Sequence, residues 1–361
     1  MKKFYMFPGQ GSQFVGMGEN LFDLYPELIE EADKILGYSI KNLCLFDEEN
    51  NLNNTAYTQP ALYVINCLSY LETRKKEDAP DYVLGHSLGE YSALFAANVF
   101  DFKTGLKLVK KRGELMNTYG QGGMIAVIGE KLDNITTLLK KQHLEGIDIA
   151  NINSYDQIVL SGLEEQITVA TDLFSSHNIS VIPLPVSGAF HSRYMQDAKI
   201  EYEYFLEDFT FNTPSIPTIS NVNGSFYNKN NVKELLVKQV VSPVNWVQSI
   251  EYLLNKYSYE NLTVKEVGPK KVLTKLYDKI VNSQPRPFTH EDIVPKDITK
   301  KVELWNEKFK IGTKVYLKNI GTYSNTKSKA YLLFDKRPVI YVTGYNGYFD
   351  LDDIRVCENE F

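Results

Sequence analysis

The sequence predicts an α/β fold with a mostly parallel sheet, interrupted by a smaller subdomain and followed by a β-rich C-terminal extension. Apolar strand-like runs and helical runs alternate in residues 1–122 and 190–285, which is typical of a parallel sheet covered by helices. Residues 123–189 have a different order of elements. Beyond residue 296 short strand-like runs dominate, and glycine and asparagine turns separate them.

The most informative segment of the core is residues 85–89, Gly-His-Ser-Leu-Gly. The apolar run 82–84 predicts a short buried strand, and residues 89–97 predict a helix. Ser87 is therefore expected on a sharp strand-to-helix turn, with its hydroxyl exposed beside the first N–H groups of the helix. A serine between two glycines also occurs by chance, so the segment alone leaves catalysis and an ordinary turn both open.

A serine nucleophile needs a base, and the sequence has five histidines. Four of them are less suitable by their positions. His86 lies next to Ser87 on its turn, His143 and His177 lie at the polar ends of predicted helices, and His290 lies in a proline-rich connector. His191 follows a predicted strand and a run of small residues in 185–192, which makes it the candidate partner of Ser87. Such a pair performs acyl transfer. A histidine with only a structural role is the alternative.

The start of the chain places a further glycine turn after a predicted strand, in residues 4–13. The Gly-Xaa-Gly at 9–11 lacks the third glycine of a dinucleotide-binding fingerprint. The oxyanion loop that α/β-hydrolases carry upstream of their serine is also missing. Both observations disfavour those two families.

Six short motifs occur in a fixed order along the chain: Phe-Pro-Gly-Gln-Gly-Ser-Gln at 7–13, Thr-Gln-Pro-Ala at 58–61, Gly-His-Ser-Leu-Gly-Glu at 85–90, Lys-Arg-Gly at 111–113, Phe-His-Ser at 190–192 and Glu-Val-Gly-Pro at 266–269. In this order they resemble malonyl-CoA:acyl carrier protein transacylases. The similarity spans roughly residues 1–285, and the sequence of residues 186–192 looks most like the trans-acting acyltransferases of modular polyketide synthases.

This resemblance implies a role for each matching residue. Ser87 would be the nucleophile and His191 the general base, and the main-chain N–H groups of Gln10 and Leu88 would form the oxyanion hole. Arg112 would hold the free carboxylate of a malonyl group, a role that suits a planar guanidinium. Without the resemblance, a solvated cation in the charged run 107–112 is the alternative for Arg112.

The resemblance also implies roles around the dyad. Asn245 stands where the family usually has glutamine before a tryptophan, and it would orient the catalytic histidine. Phe190, with Leu88, is similar to the pairing in enzymes that accept unbranched malonyl units. Asn153 would bind substrate, together with Asn151, although a role at a strand end is an open alternative for both.

Residues 123–189 predict the element order βαββαβ of a ferredoxin-like subdomain. Its position in the chain predicts an active-site cleft between this subdomain and the core. The expected strands are 124–128, 147–151, 157–161 and 179–183, and the expected helices are 131–142 and 164–176.

Composition favours an enzyme of the cytoplasm. The chain has 361 residues, 43% of them hydrophobic, which is enough for a sizeable core. Its three cysteines are odd in number and lack metal-ligand spacing, which suits a reducing compartment. No apolar run is long enough to span a membrane. The net charge of −6 argues against a nucleic-acid partner.

The C-terminal extension, residues 296–361, follows a connector marked by Pro285, Pro287 and Pro295. It carries 12 basic and nine acidic residues and is rich in aromatic ones. A helix is expected over 299–309, with strands at 314–317, 330–334, 339–342 and 347–351. The aromatic residues form either the core of a small β module or a docking surface for a synthase or carrier protein.

The resemblance, with the serine and histidine that the sequence offers, implies a transfer of malonyl from malonyl-CoA to the phosphopantetheine thiol of an acyl carrier protein, through an acyl group on Ser87. Coenzyme A enters as part of the substrate, and no metal or tightly bound cofactor is required. Polyketide synthase modules or linkers are further candidate partners. Three alternatives stay open: an acyl hydrolase acting on carrier proteins, transfer of another malonyl-type unit, and a non-catalytic scaffold.

Overall fold

The computed structural model describes residues 1–257, 261–283, 296–318, 320–333, 337–345 and 348–357. The chain divides into two compact units, Met1–Gln284 and Pro285–Phe361. The predicted connector, with Pro285, Pro287, Pro295 and His290, lies outside the described residues.

The first unit contains a four-stranded parallel sheet, as the alternation of strands and helices predicts. In spatial order its strands are β7, β2, β1 and β8, and every neighbouring pair is parallel. Their bounds are β1 Lys2–Phe7, β2 Tyr82–Gly85, β7 Thr218–Ile219 and β8 Leu262–Glu266.

Strand β1 is buried on both faces, because helices cover both sides of the sheet. Tyr5 and Phe7 point into one apolar cluster, whereas Phe4 and Met6 point into another that contains Trp246. This alternation follows from the two-residue repeat of a strand. An all-apolar run at 4–7 is therefore what a central parallel strand needs.

The helices of the first unit carry most of its core. No helix among the described residues is both long enough and apolar enough to cross a membrane. Outside the subdomain the helices are α1 Glu19–Phe22, α2 Pro26–Leu36, α3 Ile40–Leu45, α4 Thr55–Lys76, α5 Gly89–Ala96, α6 Phe102–Thr118, α9 Gln196–Phe205, α10 Val232–Gln239, α11 Trp246–Lys256 and α12 Leu273–Ser283.

The predicted ferredoxin-like subdomain is confirmed. Its four strands form an antiparallel sheet in the order β4, β5, β3, β6, and two helices pack on it around a core of their own. Its elements are β3 Gly123–Ile128, α7 Leu132–Lys141, β4 Asp148–Ser154, β5 Gln157–Gly162, α8 Glu164–Ser176 and β6 Ser180–Pro183.

The second unit begins its described part with helix α13 and continues as two three-stranded antiparallel sheets. The sheets share one apolar core that includes Val315, Ile340 and Ile354. Strands β10 and β14 were not expected from the sequence, and Phe334 and Gly347, the ends of two expected strands, lie outside the described residues. The bounds are α13 Lys296–Lys308, β9 Lys314–Leu317, β10 Thr322–Asn325, β11 Tyr331–Leu333, β12 Arg337–Tyr341, β13 Tyr348–Asp350 and β14 Ile354–Val356.

Candidate active site

Ser87 lies on a tight turn between β2 and α5. Its φ angle is +52°, in the left-handed region that residues with a side chain rarely adopt. A Cβ on Gly85 would collide with the main chain of Gly89, and a Cβ on Gly89 would collide with the carbonyl oxygen of Phe7. The predicted strand, turn and helix are confirmed, and the two flanking glycines are explained by a lack of space.

The imidazole of His191 reaches Ser87 from the segment that follows β6. Its Nε2 lies 2.7 Å from Oγ of Ser87. Its Nδ1 lies 3.0 Å from the main-chain oxygen of Gln239 and 3.2 Å from that of Ser242. Because carbonyl oxygens only accept hydrogen bonds, the ring proton belongs on Nδ1, and Nε2 presents its lone pair to the serine hydroxyl.

Burial keeps the His191 ring neutral. The residue is only 4% exposed. Burial, and after it the positive charge of Arg112, lowers the pKa of His191 to about 3. A neutral imidazole whose Nε2 faces a hydroxyl can accept the hydroxyl proton, as a general base must.

The expectation that Asn245 orients His191 is wrong. Nδ2 of Asn245 donates to the main-chain oxygen of Val222, 2.8 Å away. Its main-chain oxygen accepts from Oγ of Ser249 instead. Asn245 immediately precedes α11, so its carbonyl is engaged in the first turn of that helix. The acceptors that face Nδ1 of His191 come from the end of α10 and the loop after it.

Arg112 is buried in the same site and is 1% exposed, so the alternative of a solvated cation does not hold. Nη2 donates to Oγ of Ser87 at 3.1 Å and to Oε1 of Gln239 at 2.9 Å. Nη1 donates to Oε1 of Gln59 at 2.6 Å. The guanidinium also lies over the ring of Tyr91, 5.6 Å from its centroid. These contacts hold a permanent cation beside the nucleophile.

Gln239 connects three parts of the site, and sequence analysis missed it. Its side chain accepts from Arg112 and donates from Nε2 to the main-chain oxygen of Ser87, 2.9 Å away, while its own main-chain oxygen faces His191. A polar residue that ends the otherwise apolar face of α10 was the available signal. Gln59 was also missed as a site residue, although it lies in the Thr-Gln-Pro-Ala motif.

The main-chain N–H groups of Gln10 and Leu88 make no hydrogen bond to any residue that the structure describes. The loop that carries Gln10 is packed on the serine turn: a Cβ on the neighbouring Gly9 would lie 3.6 Å from the nitrogen of Leu88. The side chain of Gln10 bonds to Thr55 instead. Both N–H groups are therefore free for a substrate oxygen.

The structure separates the two asparagines of β4. Oδ1 of Asn153 lies 2.8 Å from Nε2 of His86, so the side chain that was expected to bind substrate is engaged with a histidine of the serine turn. Asn151 lines the cavity beside Ser87, and its buried Oδ1 has no partner among the described residues. Asn151 is thus better placed for substrate than Asn153.

A cavity of about 130 Å³ surrounds the serine and lies between the core and the ferredoxin-like subdomain. Its walls include residues of both parts, as the order of elements predicts. The apolar wall is formed by Met116, Met124, Leu184, Pro185, Val186 and Phe190, and the polar wall includes Gln59, Arg112 and Asn151.

Comparison with known proteins agrees with this geometry. The family model "Acyl transferase domain" matches residues 4–317. The chain belongs to the acyl transferase domain family.

This acyl transferase is 53% identical over 279 residues to the polyketide biosynthesis malonyl CoA-acyl carrier protein transacylase PksC of Bacillus subtilis (strain 168), a match that covers 76% of this chain and 96% of PksC. Among solved structures, the malonyl CoA-acyl carrier protein transacylase of Burkholderia pseudomallei is 42% identical, with a TM-score of 0.77 over 79% of this chain and 99% of the other. A malonyl transacylase solved in complex with a type II polyketide acyl carrier protein is 33% identical, with a TM-score of 0.73 over 78% of this chain and 94% of the other.

The matched region of this acyl transferase contains every site residue described above. The family model ends at residue 317, beyond residue 285, where the sequence analysis expected the resemblance to end. Among the residues that the structure describes, no cluster of three or more histidine, cysteine or acidic side chains could hold a metal ion.

Proposed function

We propose that this acyl transferase moves a malonyl group from malonyl-CoA to the phosphopantetheine thiol of an acyl carrier protein. The observation that carries the proposal is the buried Arg112 guanidinium, 3.1 Å from the oxygen that would bear the acyl group. A cation at this distance suits an acyl group whose far end is a carboxylate. The similarity to PksC and to the carrier-protein complex supports the same donor and acceptor.

The first half-reaction forms an acyl-enzyme. Nε2 of His191 takes the proton of Ser87 as Oγ attacks the thioester carbonyl of malonyl-CoA. The N–H groups of Gln10 and Leu88 hold the oxyanion that develops. When the tetrahedral intermediate collapses, the proton on Nε2 goes to the departing sulfur, and coenzyme A leaves as a free thiol.

The second half-reaction reverses these roles. The phosphopantetheine thiol gives its proton to Nε2 of His191 and attacks the ester on Ser87. Collapse returns the proton to Oγ, which regenerates the enzyme and leaves a malonyl thioester on the carrier protein. Both donor and acceptor present a pantetheine arm with amide groups, and Asn151 is a polar residue that lines the cavity beside Ser87.

Substrate size is set by the apolar wall of the cavity. Phe190, which is 4% exposed, lines the cavity of about 130 Å³ together with Ser87 and His191. Such a wall favours unbranched malonyl over branched units, although excluding one methyl group supplies only about 1–3 kcal/mol of discrimination. The polyketide context rests on the similarity to PksC. A reducing cytoplasm fits the three cysteines of the sequence.

The hydrolase alternative fits the site less well, because release of uncharged acyl groups has no use for a buried guanidinium. Transfer of another malonyl-type unit would use Arg112 equally. The deciding experiment incubates the purified protein with malonyl-, methylmalonyl- and acetyl-CoA in competition and identifies the adducts by intact-mass spectrometry. The proposal expects malonyl to dominate. Predominant acetylation, or rapid loss of every adduct to water, would reject it.

A further inference from the structure

Glu90 is a fully buried acid in the first turn of α5, three residues after the nucleophile. The acyl-transfer steps described above make no use of it. We propose that Glu90 is a positioning residue that fixes the side-chain amide of Gln239 and, through it, the guanidinium of Arg112. This inference rests on the proposed function, because the selectivity it concerns depends on Arg112 binding the carboxylate of an acyl group.

The carboxyl group of Glu90 faces three hydrogen-bond donors. Oε1 accepts from the main-chain N–H of Asn221 at 2.9 Å and from the hydroxyl of Tyr227 at 2.7 Å. Oε2 accepts from Nε2 of Gln239. The donors come from three different places in the chain, so the acid ties the serine turn to the segments that pack over it.

The orientation of the Gln239 amide is decided by what stands at its two ends. Arg112 can only donate, so the end of the amide that faces it must be the oxygen. The nitrogen end then faces Oε2 of Glu90 and the main-chain oxygen of Ser87. Glu90 supplies an acceptor that stabilises this orientation. A flipped amide would place its oxygen against the carboxylate of Glu90 and its N–H groups against those of Arg112.

Asn221 provides a second connection from Glu90 to the nucleophile. While its main-chain N–H is held by Glu90, its Oδ1 accepts from the N–H of Ser87 at 2.7 Å, and its Nδ2 donates to the oxygen of Gly85 at 2.7 Å. These bonds hold the strained turn on both sides of Ser87. Loss of the acid would therefore affect the arginine and the turn, but only the arginine discriminates between acyl groups.

Glu90 changes its protonation state within the pH range of an activity assay. Burial raises the pKa of Glu90 to about 7, and the hydrogen bonds from Gln239 and Tyr227, with the charge of Arg112 on α6, oppose that rise. Tyr91 is the other titratable neighbour, on the same helix. Above pH 7 a carboxylate accepts from all three donors. Below pH 7 the added proton must itself be donated, so the network loses an acceptor.

The test compares Glu90→Gln with the wild-type enzyme. A glutamine side chain offers one acceptor oxygen to donors that stand at both ends of the group, so at least one buried donor is left without a partner. The matched control is Glu165→Gln, because Glu165 is exposed in the first turn of α8. We expect Glu90→Gln to lower the rate of malonyl loading at least ~10-fold and acetyl loading clearly less, so that the malonyl-to-acetyl ratio falls.

The pH profile of malonyl loading is the second readout. The wild type should gain activity as pH rises through about 7, the pKa of Glu90, and Glu90→Gln should lack this rise. Tyr227→Phe removes one donor without touching Gln239, so the rise should move to higher pH. If Glu90→Gln does not fold, Tyr227→Phe still tests the positioning role of Glu90.

The outcomes separate the two proposals. A wild-type enzyme that does not take malonyl from malonyl-CoA rejects the proposed function itself. A wild-type enzyme that does so, together with a folded Glu90→Gln variant that keeps both the acyl ratio and the rise with pH, rejects the positioning role of Glu90. An unmoved rise in Tyr227→Phe would reject it as well.

Discussion

Arg112 donates a hydrogen bond from Nη2 to Oγ of Ser87, across 3.1 Å. Acylation turns Oγ into an ester oxygen, which is a weaker acceptor than a hydroxyl. In the proposed function, the N–H then becomes available to the carboxylate of a malonyl group, because the oxygen that bears this group lies within hydrogen-bond distance of the guanidinium. The arginine that contacts the free serine is thus already in place for the loaded one.

Replacing Arg112 with alanine should therefore change the selectivity of loading. Malonyl loses a charge-assisted hydrogen bond to its carboxylate, whereas acetyl has no carboxylate for Arg112 to bind. We expect malonyl loading to fall at least ~10-fold, with acetyl loading unchanged or improved. Acyl-enzyme formation from each acyl-CoA measures both. Arg112→Lys is the control for charge alone, and it should restore only part of the selectivity because an ammonium lacks the planar pair of donors. Equal losses for the two acyl groups would assign Arg112 a structural role.

Replacing His191 with alanine should slow acyl-enzyme formation at least ~100-fold, the lower range for acid–base catalysis. The pKa of His191 is lowered to about 3 by burial and by Arg112. As the proposed general base, His191 is therefore neutral throughout pH 5–8, and its protonation should not reduce the rate in this range. Single-turnover rates across this range test the expectation. A rise near pH 7 that persists in Glu90→Gln would contradict it.

Gln239 and Asn245 should respond differently to substitution. Gln239→Ala keeps the main-chain oxygen that faces His191 but removes the bonds to Arg112 and to the oxygen of Ser87. We expect it to lower malonyl loading about 10-fold. Asn245→Gln should leave loading within about 3-fold of wild type, because no atom of Asn245 bonds to the dyad. A larger loss in Asn245→Gln than in Gln239→Ala would reverse this assignment.

Removing residues from 296 onward should leave a folded enzyme that still loads malonyl, because all site residues lie within Met1–Gln284. The sequence from 296 to 361 carries a net charge of +3, so its loss should raise KM for an acidic carrier protein and weaken the salt dependence of transfer. Carrier loading at several salt concentrations measures this. Insoluble truncated protein would show that the extension covers apolar surface, and unchanged kinetics with every carrier tested would reject both roles.

Much of the site could be predicted from local pattern. Ser87 lies on a turn whose close packing requires glycines at 85 and 89. The βαββαβ order of residues 123–189 follows from the alternation of short apolar runs. These features depend on neighbours in the chain, and the sequence displays them directly. His191 could be selected from the five histidines by its position after a predicted strand, whereas Arg112 required a resemblance, because nothing local distinguishes a buried cation on a lysine-rich helix from an exposed one.

The residues that were missed or misplaced are those whose role depends on contacts distant in sequence. Gln239 is 152 residues from Ser87, and it occurs in an ordinary helical pattern. Asn245 was assigned to His191 from its place beside a tryptophan, but the main-chain oxygens that face the ring belong to Gln239, at the end of α10, and to Ser242, in the loop after it. Asn151 and Asn153 fall on one strand whose pairing with β5 is irregular on both sides of Asn151 and Ile152, and only Asn151 lines the cavity.

The central claim is that Ser87 carries the malonyl group between two thiols. The most direct measurement is intact-mass spectrometry of the enzyme after mixing with malonyl-CoA, followed by addition of a holo acyl carrier protein. The wild-type enzyme should gain one malonyl adduct, which peptide mapping places on Ser87, and should lose it as the carrier protein gains it, while Ser87→Ala should gain none. A Ser87→Ala enzyme that still loads malonyl, or a wild-type adduct that the carrier protein never removes, would contradict the claim.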